Sequence, residues 1–460
     1  MNKSVKLISP VDGSVYLERE VLGRDSALEA ASRARAAQPA WAGTPLHERI
    51  ELVMRANQII GQQTERMAQE LAWQMGRPIR YGGEYGGFNE RVTYMAEIAE
   101  SALAPVDIED SDSFKRQIKR LPHGVVLVVA PWNYPYMTAI NTIAPALMTG
   151  NTVILKHAAQ TLKVGEHLAE AFAGAGIPED VFQNLVLDHE TTAEMIGRRA
   201  VDFVNFTGSV GGGQAMEKAA AGTFIPVATE LGGKDPGYVR ADADLDKAVD
   251  TLMDGAMYNS GQCCCGIERI YVHESLYDDF VGKSVEWVNK GMKLGNPLDP
   301  DTTIGPMANV RFANEVRAQI AEAVEDGAVA HIETSAADDA GAYLTPQILT
   351  NVNHDMRVMR DESFGPVVGI MPVRDDEEAI ALMNDCRFGL TASIWTSDAS
   401  VAEQIGDRIE TGTVFMNRCD YLDPALVWTG VKDTGKGAAL SEIGFHNLTR
   451  PKSFHFRLEH

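Results

Sequence analysis

Short apolar runs alternate with helical patterns along the middle of the chain. From about residue 123 the runs VVLVVA (125–130), TVILK (152–156), DFVNFT (202–207) and PVATEL (226–231) are separated by segments such as LKVGEHLAEAFAGAG. Continuous apolar runs of this length are typical of parallel strands that are buried on both faces. The alternation predicts a doubly wound α/β domain, in which ligands bind at the carboxyl ends of the strands.

A second alternating block begins near Gly237. Its strand-like runs are GYVR, RIYVH, VVGIMPV and TASIWT, and its helical segments include DLDKAVDTLMDGAMY. This block predicts a second doubly wound α/β domain with a parallel sheet. The first hundred residues, in contrast, have a helical pattern.

Two segments belong to neither block. FKRQIKRL (114–121) and SFHFRL (453–458) alternate with a period of two, as strands do. A strand with bare edges is unstable by itself. We therefore expect the two segments to pair with each other or with another subunit, as a small β element for oligomerisation.

Composition and charge narrow the class of protein. The 460 residues carry a formal net charge of −23, which argues against nucleic acid as a partner. No apolar run is long enough to span a membrane, and the first residues lack the apolar core of a signal peptide. Five cysteines, three of them adjacent, do not form a disulfide framework, so we expect a reducing, cytoplasmic location.

The adjacent residues Cys263, Cys264 and Cys265 have three interpretations. A metal site is disfavoured, because neighbouring residues of an extended chain point apart and their thiols would not converge on one ion. Packing alone accounts for small buried thiols, but the Gly-Gln before them is unusual for a core. In the third interpretation Cys264 is a nucleophile that faces away from Cys263 and Cys265.

Two strand ends supply partners for a nucleophilic thiol. Glu230 ends the fourth apolar run, in ELGGKDP, where a carboxylate can activate water as a general base. Asn133 follows the first run, in APWNYP, and its amide can donate a hydrogen bond to an oxyanion. Taken alone, each residue is also explained by an ordinary turn or a solvated loop.

Six motifs together resemble the aldehyde dehydrogenase superfamily. PWNYP, GNTVILK, FTGS, ELGGKDP, GQCC and ESFGPV occur in this order, and the resemblance extends from SPVDG to TGVKDTGKG. It implies that Cys264 attacks an aldehyde to give a hemithioacetal, whose oxyanion is held by Asn133. Transfer of a hydride to NAD(P) then leaves a thioester, which is hydrolysed to the carboxylic acid by water that Glu230 activates.

The resemblance also implies a cofactor site and an arrangement of domains. The implied cofactor-binding residues are Trp132, Lys156, Ala159, Gly208, Ser209, Glu362 and Phe364. Residues 1–103 and 123–232 are expected to form the dinucleotide-binding domain, and residues 233–435 the catalytic thiol domain. Residues 104–122 and 436–460 are the expected bridging segments of a homodimer or homotetramer.

One departure from the family pattern concerns the choice of cofactor. The sequence KHAA replaces a common K-P-x-E, so Ala159 stands where many NAD-preferring relatives have a glutamate. Ala159 does not repel a 2′-phosphate and Lys156 attracts it, with His157 as a further donor, so we expect the enzyme to use NADP. The alternative is that Ala159 is a tolerated small residue and NAD binds through its other contacts.

The expected substrate pocket contains aromatic residues and thiols, and no metal-ligand set is expected. Its predicted lining is Tyr134, Cys263, Cys265 and Trp428. The two aromatic residues favour an apolar tunnel, whereas Arg418 and Asp420 could contact a charged tail of the substrate.

We therefore predict an NAD(P)-dependent aldehyde dehydrogenase that produces a free acid. One alternative is a CoA-acylating enzyme, in which CoA replaces water in resolving the thioester. The other is a catalytically retired structural or binding protein on the same fold. Glu230 disfavours the first alternative, and the joint presence of Cys264, Asn133 and Glu230 disfavours the second.

Overall fold

The computed structural model describes residues 3–334 and 340–458, which begin with a hairpin and four helices. These elements are β1 (Ser4–Ile8), β2 (Val15–Glu20), α1 (Arg24–Gly43), α2 (Leu46–Gly61), α3 (Thr64–Met75) and α4 (Tyr85–Leu103). The sequence pattern predicted the helices but not the hairpin. Only Leu7 of β1 is buried, so the hairpin has no apolar face that a sequence pattern could reveal.

Five parallel strands form the first large sheet. After β3 (Val106–Ser111) and β4 (Phe114–Pro122), the chain continues through β5 (Val125–Val129), α5 (Pro135–Met148), β6 (Thr152–Lys156), α6 (Leu162–Ala175), β7 (Phe182–Asn184), α7 (His189–Gly197), β8 (Phe203–Thr207), α8 (Val210–Ala220) and β9 (Val227–Glu230). The strand order is β7-β6-β5-β8-β9, and every pair is parallel. The order reverses beside β5, and the crevice at such a reversal is the usual ligand site.

Strand β5 explains why the apolar runs are continuous. All five of its residues are buried, and they alternate between two cores. Val126 and Val128 pack with α2, α4, α5 and α6, whereas Val125, Leu127 and Val129 pack with α1, α7 and α8. Full burial of each such side chain contributes about 1.5–3 kcal/mol, so both faces of the strand stabilise the domain.

The second large sheet has seven strands and is parallel except at one edge. Its elements are β10 (Asp235–Val239), α9 (Leu245–Met257), β11 (Ile267–His273), α10 (Tyr277–Gly291), α11 (Val310–Glu325), β12 (Val329–Ala330), β13 (Gln347–Thr350), α12 (Arg357–Arg360), β14 (Val367–Val373), α13 (Asp376–Asn384), β15 (Phe388–Gly389), β16 (Thr391–Trp395), α14 (Ala399–Gly406) and β17 (Thr413–Met416). The order is β12-β13-β14-β11-β10-β16-β17, with β12 antiparallel. The predicted α/β architecture is confirmed.

The remaining elements include a separate three-stranded sheet. They are β18 (Val431–Lys432), which pairs with β15, then α15 (Ser441–Asn447) and β19 (Thr449–Arg457). Strand β19 pairs with β4 along its whole length, and β4 pairs with β3. The two segments with a period of two therefore pair with each other within one chain. No helix in the described part of the chain is long and apolar enough to cross a membrane.

Candidate active site

A cavity of about 730 Å³ is lined by residues that follow strands of both large sheets. Asn133, Glu230 and Cys264 all line it, so the structure brings the three predicted catalytic residues together. The other predicted residues in its lining are Trp132, Tyr134, Lys156, Gly208, Ser209, Cys263, Cys265, Glu362, Phe364 and Trp428. Ala159 is not among the lining residues, although its neighbour Ala158 is.

Hydrogen bonds connect the backbone at Asn133 to the segment that precedes the cysteines. The Asn133 carbonyl accepts hydrogen bonds from the Arg77 guanidinium and from Asn259 Nδ2 (3.3 Å). Arg77 is 2% exposed, pairs with Glu84, and donates from Nε to Asn259 Oδ1 at 3.0 Å. Arg77 thus links Asn133 to the segment that precedes the cysteines. Sequence reasoning missed this role, because an arginine in a GRP turn carries no pattern that indicates burial.

A strained turn leads into the cysteines. Asn259, Ser260 and Gly261 have φ values of +55°, +57° and +67°. Non-glycine residues in this region are uncommon and cluster at functional sites. The turn is held by the Ser260 hydroxyl, which donates to the Gly305 carbonyl at 2.8 Å. It directs the chain from the end of α9 into the cavity.

The three thiols converge, contrary to prediction. Cys263 N–H donates to the Gly261 carbonyl at 2.9 Å and Gly266 N–H donates to the Cys263 carbonyl at 3.1 Å, so the chain here turns and is not extended. The Sγ atoms of Cys263, Cys264 and Cys265 all lie within 4.8 Å of one another. The prediction that Cys264 faces away from its neighbours was wrong, because it assumed strand geometry. The same assumption was the reason for disfavouring a metal site.

Burial and hydrogen bonding distinguish the three thiols. Cys263 and Cys265 are buried, whereas Cys264 is half-buried. A hydrogen bond from the Cys264 thiol lowers the pKa of Cys263, and the same bond raises the pKa of Cys264. The cluster therefore accommodates a thiolate, and Cys264 is its most accessible sulfur.

Glu230 ends β9 beside the thiols. Burial raises the pKa of its carboxyl to about 7, with the Arg91 guanidinium opposing the rise. A carboxyl with that pKa can act as a base near neutral pH. The glycines that follow allow close packing, since a Cβ atom on Gly233 would lie 2.3 Å from the Cys264 carbonyl oxygen.

A buried ion pair connects three of the loops around the cavity. Lys234 Nζ contacts Glu268 Oε2 at 2.5 Å, and both residues are almost inaccessible to solvent. Glu268 also accepts hydrogen bonds from the backbone N–H groups of Ser363 and Phe364, at 2.8 and 2.9 Å. The ELGGK loop, the strand after the cysteines and the ESFGP loop are therefore held together.

The glycine-rich segment forms the start of α8. Ser209 is the residue before the helix, and its hydroxyl accepts a hydrogen bond from Gly212 N–H at 3.2 Å. Phe206 packs under this turn so closely that a Cβ atom on Gly212 would lie 2.4 Å from its ring. The free N–H groups of a helix start attract anions such as phosphate.

Aromatic side chains form the middle of the cavity. Trp132 stacks on Phe312 (ring centroids 5.3 Å apart) and meets Phe364 edge-on at 5.4 Å. Glu362 accepts a hydrogen bond from Gly233 N–H at 3.0 Å, and burial raises its pKa to about 8. Phe312 was not predicted, because it belongs to α11 and lies far from every recognised motif.

Near β6, the structure places the predicted Lys156 in the lining of the cavity but not His157. Lys156 makes no ion pair with any described residue, while Ala159, which is outside the lining, is exposed to solvent. His157 is buried and hydrogen-bonded to the Pro135 carbonyl and to Thr161, and burial lowers its pKa to about 4. It is therefore neutral and unavailable as a further donor. The exposed His189 lines the cavity instead.

The opposite end of the cavity is apolar around the thiols. The packed side chains there are Tyr134, Cys263, Cys264, Cys265, Leu390, Leu422, Trp428, Ala439 and Leu440. Asp420 also lines the cavity, and burial raises its pKa to about 7. Arg418 is not among the lining residues, and its guanidinium lies over the Tyr421 ring at 4.0 Å.

Two buried polar atoms of cavity-lining residues have no hydrogen-bond partner among the described residues. Arg91 is 6% exposed, and its Nε makes no hydrogen bond to any described residue. Its Nη1 donates to the Gly87 carbonyl at 2.8 Å and contacts Met137 Sδ at 3.2 Å. Asn141 is 3% exposed and its Oδ1 is likewise unpartnered. Because unsatisfied buried polar groups are costly, these residues mark a place for a polar ligand group or water.

Comparisons with known proteins agree with the geometry. A model described as the aldehyde dehydrogenase family matches residues 1–454. An aldehyde dehydrogenase of Paenarthrobacter nicotinovorans is 34% identical over 427 residues, 92% of this chain and 93% of that protein. A succinate-semialdehyde dehydrogenase [NADP(+)] of Mycobacterium avium strain 104 is 36% identical over 362 residues, 78% and 76% of the two chains.

One solved structure of an aldehyde dehydrogenase has nearly the same fold as this chain. The NAD-dependent aldehyde dehydrogenase of Sinorhizobium meliloti superposes with a TM-score of 0.95 at 32% identity, covering 100% of this chain and 92% of that one. With a thiol, an amide and a carboxylate around one cavity, and with a match over nearly its whole length, the chain belongs to the aldehyde dehydrogenase family and oxidises an aldehyde to a carboxylic acid with NAD(P).

Proposed function

We propose that Cys264 is the nucleophile of this reaction, with Asn133 as oxyanion donor and Glu230 as general base. The observation that carries the proposal is that all three side chains line one cavity, and that Cys264 is the least buried cysteine of the cluster. The Cys264 thiol passes its proton to the Cys263 sulfur, to which it is hydrogen-bonded. The Cys264 sulfur then bonds to the aldehyde carbon, and the carbonyl oxygen becomes an alkoxide. The Asn133 amide stabilises that charge, a contribution of typically 10²–10³ in rate.

Bound NAD(P) supplies the acceptor for the hydride that leaves the hemithioacetal carbon. Lys156, the start of α8, Trp132, Phe364 and Glu362 are suited to hold it, because they provide a cation, free N–H groups, flat apolar surfaces and a carboxyl for ribose hydroxyls. Glu230 then removes a proton from the water that attacks the thioester carbon. The acid leaves and the Cys264 sulfur is restored.

A pre-steady-state experiment tests these roles. Mixing enzyme, NADP and aldehyde should give a burst of reduced cofactor, of about one equivalent per subunit, if thioester hydrolysis is slower than its formation. Trapping, followed by fragmentation of the peptide that contains the three cysteines in a mass spectrometer, should place the acyl group on Cys264. An acyl group on Cys263 or Cys265 would contradict the assignment.

We propose further that NADP is accepted. Ala159 carries no carboxylate, Lys156 forms no ion pair with a described residue, and the exposed His189 lines the same cavity as Lys156. The relative from Mycobacterium avium bears an NADP(+) name, whereas the structure from Sinorhizobium meliloti is of an NAD-dependent enzyme.

The substrate that fits best is an aldehyde with an acidic group at its other end. The buried Arg91 guanidinium, whose Nε has no hydrogen-bond partner among the described residues, would bind a carboxylate, and the Asn141 amide lines the same cavity. The similar protein from Mycobacterium avium is named for such a compound, succinate semialdehyde. Oxidation would then produce a dicarboxylate.

Substrate selectivity tests this assignment of Arg91. The ratio of kcat/KM for succinate semialdehyde to that for butanal should exceed 1 in the parent enzyme. It should fall roughly 10- to 150-fold in Arg91→Met, because a hydrogen bond to a charged group contributes about 1.5–3 kcal/mol. The ratio cancels any effect of Arg91 on Glu230, which acts on both substrates. Arg418→Met is the matched control and should leave the ratio unchanged, whereas a fall in that variant instead would refute the assignment.

The three-stranded sheet is the proposed oligomerisation element, with residues 104–122 and 436–460 as bridging segments of a homodimer or homotetramer. Val106, Ile108 and Phe456 of this sheet are exposed, and they leave apolar surface for a second subunit to cover. Light scattering at micromolar concentration should give a multiple of the 50.0 kDa chain mass. A mass of one chain would contradict the proposal.

We propose a cytoplasmic location on the basis of the cysteines. All five are free thiols, including the three whose sulfur atoms lie close together. Such a cluster stays reduced most readily in a reducing compartment. Thiol labelling of the protein in intact and lysed cells, after fractionation, would test this.

A further inference from the structure

The sulfur atoms of Cys263, Cys264 and Cys265 form a compact triangle. Each lies within 4.8 Å of the others, and the Sγ atoms of Cys263 and Cys265 are 3.5 Å apart. A tetrahedral zinc site with bonds of about 2.3 Å to sulfur separates its sulfur atoms by about 3.8 Å. Small rotations of these side chains would therefore give the spacing that a metal ion requires, without a change of the backbone.

The surroundings leave one coordination position open. Leu390, Trp428 and Leu440 pack around the buried sulfurs of Cys263 and Cys265. Cys264 faces the cavity, so water would complete a four-coordinate site with three protein ligands. Thiolates select soft, thiophilic cations over Mg²⁺ or Ca²⁺.

The charge of such a site is partly balanced by a neighbour. Three thiolates and a divalent ion carry a net charge of −1. The Arg91 guanidinium lines the same cavity, and its charge interacts with the carboxylates of Glu90 and Glu84 and, more weakly, with Cys265. This buried cation favours an anionic complex of the three sulfurs.

We propose that Cys263, Cys264 and Cys265 form a three-thiolate site for Zn²⁺, and that the bound ion reversibly inhibits the dehydrogenase. The thiols release their protons to solvent, three Zn–S bonds replace bonds from Zn²⁺ to water, and no atom changes oxidation state. The inhibition rests on the proposed role of Cys264 as nucleophile, because a metal-bound sulfur cannot attack the aldehyde. The binding itself does not depend on that role.

Cadmium and cobalt report on thiolate ligation directly. The reduced full-length enzyme, free of metal, is titrated with Cd²⁺ or Co²⁺ while the sulfur-to-metal charge-transfer absorption is recorded. We expect saturation at one ion per chain. Cys263→Ser and Cys265→Ser should each weaken binding at least roughly 100-fold, since even the loss of an outer partner of a metal site costs 10- to 100-fold. Cys386→Ser, which changes a thiol outside the cluster, is the matched control and should bind like the parent.

Inhibition is measured on the same proteins with Zn²⁺, each relative to its own rate without metal. The parent and Cys386→Ser should be inhibited and then restored by a chelator, whereas Cys263→Ser and Cys265→Ser should resist. Absence of charge-transfer absorption at one equivalent, or unchanged affinity in both cluster variants, would overturn the site. Charge-transfer absorption with undiminished activity would support the site but refute Cys264 as the nucleophile.

Discussion

The end of the cavity with Asn133 and the thiols is fixed by buried contacts, whereas exposed side chains lie at the end near β6. At the first end, Asn133, Arg77 and Asn259 are all less than 5% exposed, and hydrogen bonds join them although they are distant in sequence. At the second end, His189, which lines the cavity, and Ala159, which lies outside the lining, are exposed. A substitution at the first end therefore disturbs several partners at once, while one at the second end changes a single solvent-screened contact.

The largest effect is expected at the nucleophile. Cys264→Ala should reduce kcat/KM by at least about 10⁴-fold, because no other group replaces a missing nucleophile. Steady-state NADPH formation measures this. Cys386→Ala is the control outside the cavity and should retain parental activity. If Cys263→Ala were inactive while Cys264→Ala kept its activity, the nucleophile would be Cys263, whose pKa the neighbouring thiols lower.

Glu230→Gln should slow turnover by about 10²–10⁴-fold, the usual contribution of a general base, and leave the single burst of reduced cofactor. Burial raises the pKa of Glu230 to about 7. A base acts in its deprotonated form, so the parent rate of thioester hydrolysis should rise with pH through about 7 and level off above it. Stopped-flow traces from pH 5.5 to 8.5 measure both effects. Loss of the burst would place Glu230 in an earlier step.

Arg77→Met should lower both stability and kcat. It removes the donors to the Asn133 carbonyl and to Asn259 and leaves the Glu84 carboxylate buried without its partner. Breaking a buried ion pair in this way costs about 3–5 kcal/mol of unfolding free energy. Denaturant unfolding and kcat at a permissive temperature are the measurements. The exposed Arg80→Met is the matched control, and equal losses in the two variants would refute a specific role for Arg77.

The smallest effect is expected at Ala159. Two unit charges about 4 Å apart interact by about 1 kcal/mol in water, and Ala159 is exposed, so Ala159→Glu should shift the preference from NADP towards NAD by roughly fivefold. The ratio of kcat/KM for the two cofactors measures it. The prediction fails if the parent enzyme already uses NADP more than about a hundredfold worse than NAD.

The same contrast explains what the sequence could and could not predict. Asn133, Glu230 and Cys264 were found because strand ends and motifs mark them. Arg77 and Phe312 were not, because they act from elements whose own sequence gives no sign of the cavity. The geometry of the cysteines was predicted wrongly, since a turn set by positive φ at Asn259 and Ser260 leaves no trace in a hydrophobic pattern.

The fold shows a similar division. The strands buried on both faces, such as β5 and β14, were predicted from their continuous apolar runs. The β1–β2 hairpin was missed, because its strands are largely exposed and their residues carry no apolar stripe. Buried positions require apolar residues, so only elements with buried faces have a hydrophobic pattern from which they can be predicted.

The pairing of β4 with β19 has a consequence for synthesis on the ribosome. Strand β4 ends at Pro122, and its partner strand is complete only at Arg457, 335 residues later. At a synthesis rate of about 5–20 residues per second, one edge of β4 stays unpaired for roughly 17–67 s until its partner strand has been made. The basic residues Lys115, Arg116, Lys119 and Arg120 along β4 repel a second copy of the same strand during that interval. Replacing them with neutral residues should therefore increase aggregation of newly made chains more than it changes the stability of the finished enzyme.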